Sequence, residues 1–249
     1  MIPSFLERLS LLIGNENLEK LSRTKVLVFG AGGVGSWAAD ALVRSGIGKI
    51  GIIDNDMICA SNINRQIEAT TLTIGQPKAS TLKKRLLEIN PECEVTSFDE
   101  LFCIENKDNF DIKSAGYVID AIDSLKHKLD LIETVCSLGI TLYSSMGMAL
   151  KTDPSRIKTA SIMKTDGCSL ARLVRQGLRK RGFNGDFTCV YSNEQITENI
   201  EQLTTNNEQT KNCEQIGKRI NGSIVTVTAS AGLMLASLVI NDIIKKQEP

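Results

Sequence analysis

Four glycines fall within six residues of this chain: Gly30, Gly32, Gly33 and Gly35 in GAGGVG. They follow the β-favouring run KVLVF and precede the small residues SWAADA. The G-x-G-x-x-G spacing permits a tight turn and lets phosphate oxygens approach backbone N–H groups at a helix N-terminus, where the dipole is positive. Asp54 ends the next apolar run, KIGIID, where a carboxylate can accept hydrogen bonds from ribose hydroxyls. Strand, glycine turn, helix and acid predict a nucleotide site. They leave open whether its phosphates belong to a nicotinamide or flavin dinucleotide or to ATP.

The following loop separates those cases. DNDMICASNINRQ (54–66) gathers Asp54, Asp56, Asn62, Asn64, Arg65 and Gln66, and Lys78 follows in GQPKA. Backbone N–H groups largely satisfy a dinucleotide's pyrophosphate, whereas a triphosphate calls for cationic side chains near its β and γ groups. Arg65 and Lys78 suit that task, although either type in a loop is commonly just solvated. Asp120 and Asp123, in VIDAIDS, are expected at the C-terminal end of a later parallel strand. Ligands bind at that edge of such sheets, and carboxylates there can hold Mg²⁺ against phosphates or else cap the next helix. The single histidine, His127, falls on a predicted helix away from these motifs, and no general base is evident.

The elements that must position these residues alternate. Helices are predicted at 15–22, 33–46, 77–90 and 124–138, with strands at 25–30, 49–54, 93–98, 116–123 and 140–146. A short helix is expected at 104–110. Past residue 147 the rhythm changes to strands at 156–163 and 187–192 flanking a basic helix at 168–181. The pattern predicts an α/β fold: a doubly wound, mostly parallel sheet with a Rossmann-like ATP-binding half (1–147) and a more antiparallel C-terminal extension (148–249). The polar, Asn/Gln-rich stretch 193–218 reads as a mobile loop.

The 249 residues carry 29 Lys plus Arg against 29 Asp plus Glu, so no global field drives nucleic-acid binding and only a local patch could. Arg172, Arg175 and Arg179 recur at helical spacing beside Lys180 and Arg181, a face that could hold tRNA phosphates or simply be solvated. The seven cysteines include no C-x-x-C pair, which argues against a disulfide framework or structural zinc, and the N-terminus lacks a signal-peptide pattern. A cytoplasmic protein is expected. Residues 223–244 are apolar enough to consider as a membrane span, but interspersed Thr and Ser favour a buried C-terminal helix, so no span is expected.

Taken together, GxGGVGS, D-x-D-x₄-SNINRQ, GQPKA and DAID-S resemble the nucleotide-binding half of the ubiquitin-activating-enzyme-like superfamily, in four spaced motifs over residues 30–124. GGVGSWAADALVRSGIGKI, NINRQI, INPECEV, DPSRI and LARLVRQGLRKRG are similar to its tRNA threonylcarbamoyladenosine dehydratase branch, out to about residue 182. The resemblance implies a single ThiF/MoeB-like adenylating domain spanning 1–249. Gly30, Gly32, Gly33 and Gly35 would hold ATP phosphates and Asp54 the ribose, with Asp56, Asn62, Gln66 and Asp120 around them. It further implies that Arg65 and Lys78 contact the phosphates, that Asp123 holds Mg²⁺, and that Arg8 reaches the partner's ATP in a homodimer. The implied reaction adenylates the threonyl carboxylate on tRNA and then closes a ring with loss of AMP.

Sulfur-carrier and molybdopterin-type activators in the superfamily often carry two C-x-x-C zinc pairs, which this chain lacks, favouring the dehydratase branch. Relatives that pass cargo on as a thioester would make Cys189 and Cys213 candidate thiols, and a sulfur-transfer protein a candidate partner. The chain departs from the pattern at Ser169, where relatives tend to have proline, and in the long Asn/Gln-rich 193–222 stretch. An activator of a ubiquitin-like sulfur carrier and a nucleotide-binding scaffold without turnover are the alternatives. A dehydrogenase would leave Arg65 and Lys78 unexplained.

Overall fold

The computed structural model describes residues 3–195 and 221–245. Seven strands form one sheet: β1 (Lys25–Phe29), β2 (Lys49–Ile53), β3 (Glu94–Phe98), β4 (Tyr117–Asp120), β5 (Thr141–Ser145), β6 (Ile157–Ser161) and β7 (Thr188–Ser192). Their spatial order is β3-β2-β1-β4-β5-β7-β6. All neighbours are parallel except β6 and β7, which pair antiparallel from Ile157↔Ser192 to Ser161↔Thr188. The C-terminal strands therefore extend the same sheet through the parallel β5–β7 pair.

β1 and β2 are near-continuous apolar runs because both faces of the sheet are covered. Val26 and Val28 point toward α2 (Asn15–Arg23), α3 (Gly35–Arg44), α4 (Lys78–Ile89) and α7 (Val225–Lys245), where they meet Leu21, Leu42, Leu82 and Leu235. Leu27 and Phe29 point the other way, toward α5 (Leu125–Ser137) and α6 (Ser169–Lys180), in a cluster with Ile132, Val174, Phe102 and Phe110. The Phe29 and Phe102 rings meet edge to face at 5.2 Å.

α7 is long and apolar enough to cross a membrane by length and composition alone. In this fold it packs along α3, and Gly232 permits the approach. A Cβ there would lie 2.4 Å from the Val34 carbonyl oxygen and 2.9 Å from the Trp37 Cβ. One side of α7, including Val227, Ala231, Leu235 and Val239, is buried in the core, as the C-terminal-helix reading anticipates.

One expectation changes. The strand predicted over 116–123 ends at Asp120, where the Ala121 N–H donates to the Phe29 carbonyl and the chain turns. Asp120 and Asp123 thus sit in different surroundings. The N-terminal residues form α1 (Glu7–Ile13), joined to α2 by Gly14 at φ +80°. The expected loop at 193–218 and Cys213 fall largely or wholly outside the described residues.

β1 lies between β2 and β4, so chain connections diverge to opposite faces at its carboxyl end. Open α/β sheets bind ligands in the crevice such a switch point creates.

Candidate nucleotide site

The glycine turn occupies that crevice. Gly30 has φ +93°, and a Cβ on it would sit 2.7 Å from the Ala121 carbonyl oxygen. A Cβ on Gly35 would fall 1.8 Å from the Gly30 oxygen, so these two positions fold the turn back on itself. Gly33 leaves room for the Arg65 stem, whose Cγ would be 3.1 Å from an added Cβ, and for the Thr228 hydroxyl of α7. Around Gly32 a Cβ would meet only the Gln66 amide nitrogen, at 3.9 Å. The open approach to the α3 N-terminus is therefore at Gly32, and α3 has no side-chain cap. That end of the helix is suited to phosphate oxygens.

Asp54 ties the turn to the next loop. Its carboxylate accepts from Ala31 N–H at 2.6 Å and from Asp56 N–H at 2.8 Å. Burial raises its pKa, against the opposing pull of Lys78 and those two N–H groups. Spare lone pairs remain for ribose hydroxyls.

Lys78 is the first residue of α4 and only 6 % exposed, with its Nζ 2.8 Å from the exposed Asp56 carboxylate. Burial alone would lower its pKa, but Asp54, Asp56 and Glu68 outweigh it and leave the ammonium raised. Arg65 is half-buried, and burial lowers its pKa with Glu68 opposing. Its Nη1 donates to the Ser61 carbonyl at 2.8 Å and to Asn64 Oδ1 at 2.9 Å. Its carbonyl accepts from Trp37 Nε1 at 2.9 Å, which fixes the loop to α3. Gln66 is buried with its Oε1 unpartnered among the described residues, and the Asn62 Oδ1 is spent on the Cys59 N–H at 3.0 Å.

Gly30, Gly32, Gly33, Gly35, Asp54, Asp56, Arg65, Gln66 and Lys78 thus converge on one crevice. Asp120, Arg8, Arg172, Arg175 and Arg179 do not. Asp120 is sealed beneath the crevice: it accepts from Lys128 Nζ at 2.7 Å, Ser144 Oγ at 2.6 Å and Ile122 N–H at 3.0 Å, and both Asp120 and Lys128 are fully buried. It cannot touch a nucleotide; it fixes the turn that carries Asp123. Asp123 is exposed past the end of β4. Mg²⁺ commonly takes one or two carboxylates plus phosphate oxygens, and Asp123 fits that donor set where Asp120 does not. No cluster of three or more His, Cys, Asp or Glu able to hold a metal occurs among the described residues.

Arg8 is exposed on α1, two residues after Leu6. Leu6 packs at Gly46, beyond the far end of α3, roughly 15 Å of helix from the glycine turn. The fold of one chain does not bring Arg8 to the crevice. Arg172 and Arg179 are exposed on α6, but Arg175 is half-buried and donates to Thr165 Oγ1 and the Ile162 carbonyl. Arg181 pairs with Asp130 and Glu133, both at 2.7 Å. The basic face expected of that helix reduces to Arg172, Arg179 and Lys180. Cys189 is fully buried and its thiol is pushed up to about 12, chiefly by burial and then by Cys168, which removes it as a thioester nucleophile.

A cleft of about 1060 Å³ lies at the opposite edge of the sheet, and its Lys25 and Lys49 are already paired with Asp111 and Glu94. In and beneath the crevice lie residues that the sequence pattern did not single out. Trp37 and Glu68 lie within the motif segments but carry no pattern of their own, and Lys128 sits eight residues past Asp120 with nothing to mark it as that acid's partner.

The ThiF family model matches residues 6–249. The tRNA threonylcarbamoyladenosine dehydratase of Bacillus subtilis is 38% identical over 244 residues, covering 97% of this chain and 95% of the relative. That of Haemophilus influenzae is 36% identical over 243 residues, covering 93% and 90%. Among solved structures, the Escherichia coli enzyme TcdA in complex with ATP superposes with a TM-score of 0.81 at 32% identity, covering 94% of this chain and 91% of that one.

Proposed function

This chain belongs to the ThiF family, and from that premise we infer that it is an ATP-dependent dehydratase converting threonylcarbamoyladenosine in tRNA to its cyclic form. One observation carries the reading: Arg65, Lys78 and Asp54 converge on the glycine turn in a chain similar to named dehydratases almost end to end.

In this reading ATP lies with its phosphates over Gly32 and the α3 N-terminus and its ribose on Asp54. Gln66 and Asn62 line the approach. Lys78 exchanges the Asp56 carboxylate for a phosphate oxygen, and Arg65 offers its remaining N–H donors to the same charge. An oxygen of the threonyl carboxylate attacks the α-phosphorus, the bond to the β-phosphate oxygen breaks, and pyrophosphate leaves. A nucleophilic group of the same side chain then attacks the acyl carbon, and AMP departs with the former carboxylate oxygen. The net change to the nucleoside is loss of one water. Catalysis comes from positioning and from charge already in place where pyrophosphate leaves. Mg²⁺, held by Asp123 and phosphate oxygens, would supply further neutralisation of that charge.

The whole chain acts as one adenylating unit, with residues 148–249 on the substrate side. A cytoplasmic location follows from a tRNA substrate. A homodimer completes the site with the partner's Arg8; α1 buries no residue of its own, and Leu11 and Leu12 are 89% and 80% exposed, as a helix awaiting a second surface would be. A monomer by light scattering overturns the dimer. A sulfur-transfer protein remains a partner to be sought by co-purification, and its absence from purified, fully active enzyme overturns it.

The deciding experiment supplies ATP with either threonylcarbamoyladenosine-containing tRNA or a carrier protein ending in Gly-Gly. AMP release with loss of one water from the tRNA nucleoside is expected. AMP with the carrier alone would assign the chain to sulfur-carrier activation, and no AMP with either would make it a scaffold. Arg172 and Arg179 are assigned to tRNA phosphates. Arg172→Glu/Arg179→Glu should raise the KM for tRNA by about tenfold or more at low salt and leave ATP affinity unchanged. An unchanged KM removes α6 from the tRNA surface.

A further inference from the structure

The crevice holds one charged group that the reaction above does not use. Glu68 is 3% exposed, and neither of its carboxylate oxygens has a hydrogen-bond partner among the described residues. A buried carboxylate is ordinarily hydrogen-bonded or paired, so this one calls for an explanation. Its surroundings are specific. Lys78 faces it from α4, Asp54 from the end of β2, and Arg65 from its own loop. The Ser36 hydroxyl of α3 favours its charged form without meeting hydrogen-bond distance and angle.

Three carboxylates, Asp54, Asp56 and Glu68, thus share two cations, Arg65 and Lys78. That balance suits an empty site. It opposes a triphosphate, which brings several negative charges to the same two cations. Asp56 is exposed and can swing into solvent when phosphate takes its place on Lys78. Asp54 is fastened by two backbone N–H groups and stays in place to meet the ribose. Glu68 is buried and cannot leave, so its one means of relieving the repulsion is to become neutral.

Resting on the ATP reading above, we propose that Glu68 is a proton-holding positioning residue: charged toward Lys78 in the empty site above neutral pH, it takes a proton from solvent as the triphosphate binds and returns it when the phosphates leave. The ammonium passes from carboxylates to phosphate without a buried anion behind it. Burial already pushes the Glu68 carboxyl up to about 7 in the empty site, and added phosphate charge raises it further. The sign follows. Below pH 7 Glu68 is already protonated and ATP binds at full strength. Above pH 7 the proton must be gathered on binding, and affinity declines as pH rises.

Calorimetry of ATP binding without tRNA, in buffers of different ionisation enthalpy, counts the protons. At pH 8, where free ATP is itself deprotonated, the wild-type protein should take up roughly half a proton or more per ATP, and its affinity should fall by about tenfold between pH 7 and 8.5. Glu68→Gln should show no such uptake and an affinity constant to within about threefold over that range. A merely structural role would not move the proton count. Equal uptake in both proteins overturns the proposal, and so does ATP binding to the wild type with no uptake, a result that stands even if Glu68→Gln fails to fold. No ATP binding by the wild type at any pH would instead sink the ATP reading itself.

Discussion

Arg65→Ala lowers ATP-dependent AMP formation by about 10²- to 10³-fold and leaves the folded protein intact. The large effect follows from where the guanidinium sits. Its Nη1 is anchored within its own loop by Ser61 and Asn64, so the group is held in place before ATP arrives, with further donors unspent. Donors fixed in advance cost little reorganisation as pyrophosphate leaves. The lack of a folding penalty has an equally local cause. What ties the loop to α3 is the Arg65 carbonyl, which accepts from Trp37 Nε1 whatever side chain follows. Trp37 is the chain's only tryptophan, so its emission reports that bond directly and should match wild type. Arg65→Lys keeps the charge, loses the fork, and should fall between the two. Turnover within about twofold of wild type in Arg65→Ala would remove this residue from the phosphate site.

Features determined by neighbours close in sequence were legible before the fold was known. Gly30 and Gly35 face each other across a single turn, and the resulting crowding, 1.8 Å for a Cβ on Gly35, is written into their five-residue spacing. The strand–turn–helix order and the buried character of β1 and β2 likewise follow from short runs of residues. What could not be read depends on contacts between distant segments. Asp120 and Asp123 look alike at a strand end; Lys128 on α5 and Ser144 on β5 decide that one is sealed and the other exposed. Arg175 shares a helical face with Arg172 and Arg179, yet Thr165 on another segment holds it. Glu68 gave no signal because a single acid between Ile67 and Ala69 reads as a surface residue until α3, α4 and β2 close around it. Lys78 pairs with Asp56, 22 residues away, and nothing in the spacing of the two marks them as partners.

The sealed pair beneath the crevice carries the second large effect. Lys128→Met should destabilise the protein by about 3–5 kcal/mol, because it leaves the Asp120 carboxylate buried without a counter-charge. Ser144 and the Ile122 N–H still donate to it, but two neutral donors do not replace an ammonium at 2.7 Å. Removing both charges is a different matter. In Asp120→Asn/Lys128→Met the carboxamide oxygen can keep the Ile122 N–H while its NH2 donates to the Ser144 Oγ, and the methionine fills the lysine stem's volume. Stability should then return to within about 2 kcal/mol of the parent, since a buried ion pair contributes little net stability against a well-packed neutral replacement. Urea unfolding of the parent, Lys128→Met, Asp120→Asn and the double variant reads the coupling, and additive effects of the two substitutions would show that the charges do not depend on each other. The same pair has a consequence at the crevice. Asp120 holds the turn whose Ala121 carbonyl lies against Gly30 and whose next acid is Asp123, so the neutral pair should fold yet bind ATP more weakly. Wild-type affinity in the double variant would mean that the turn is held by backbone packing alone, and that the buried lysine serves stability without shaping the site.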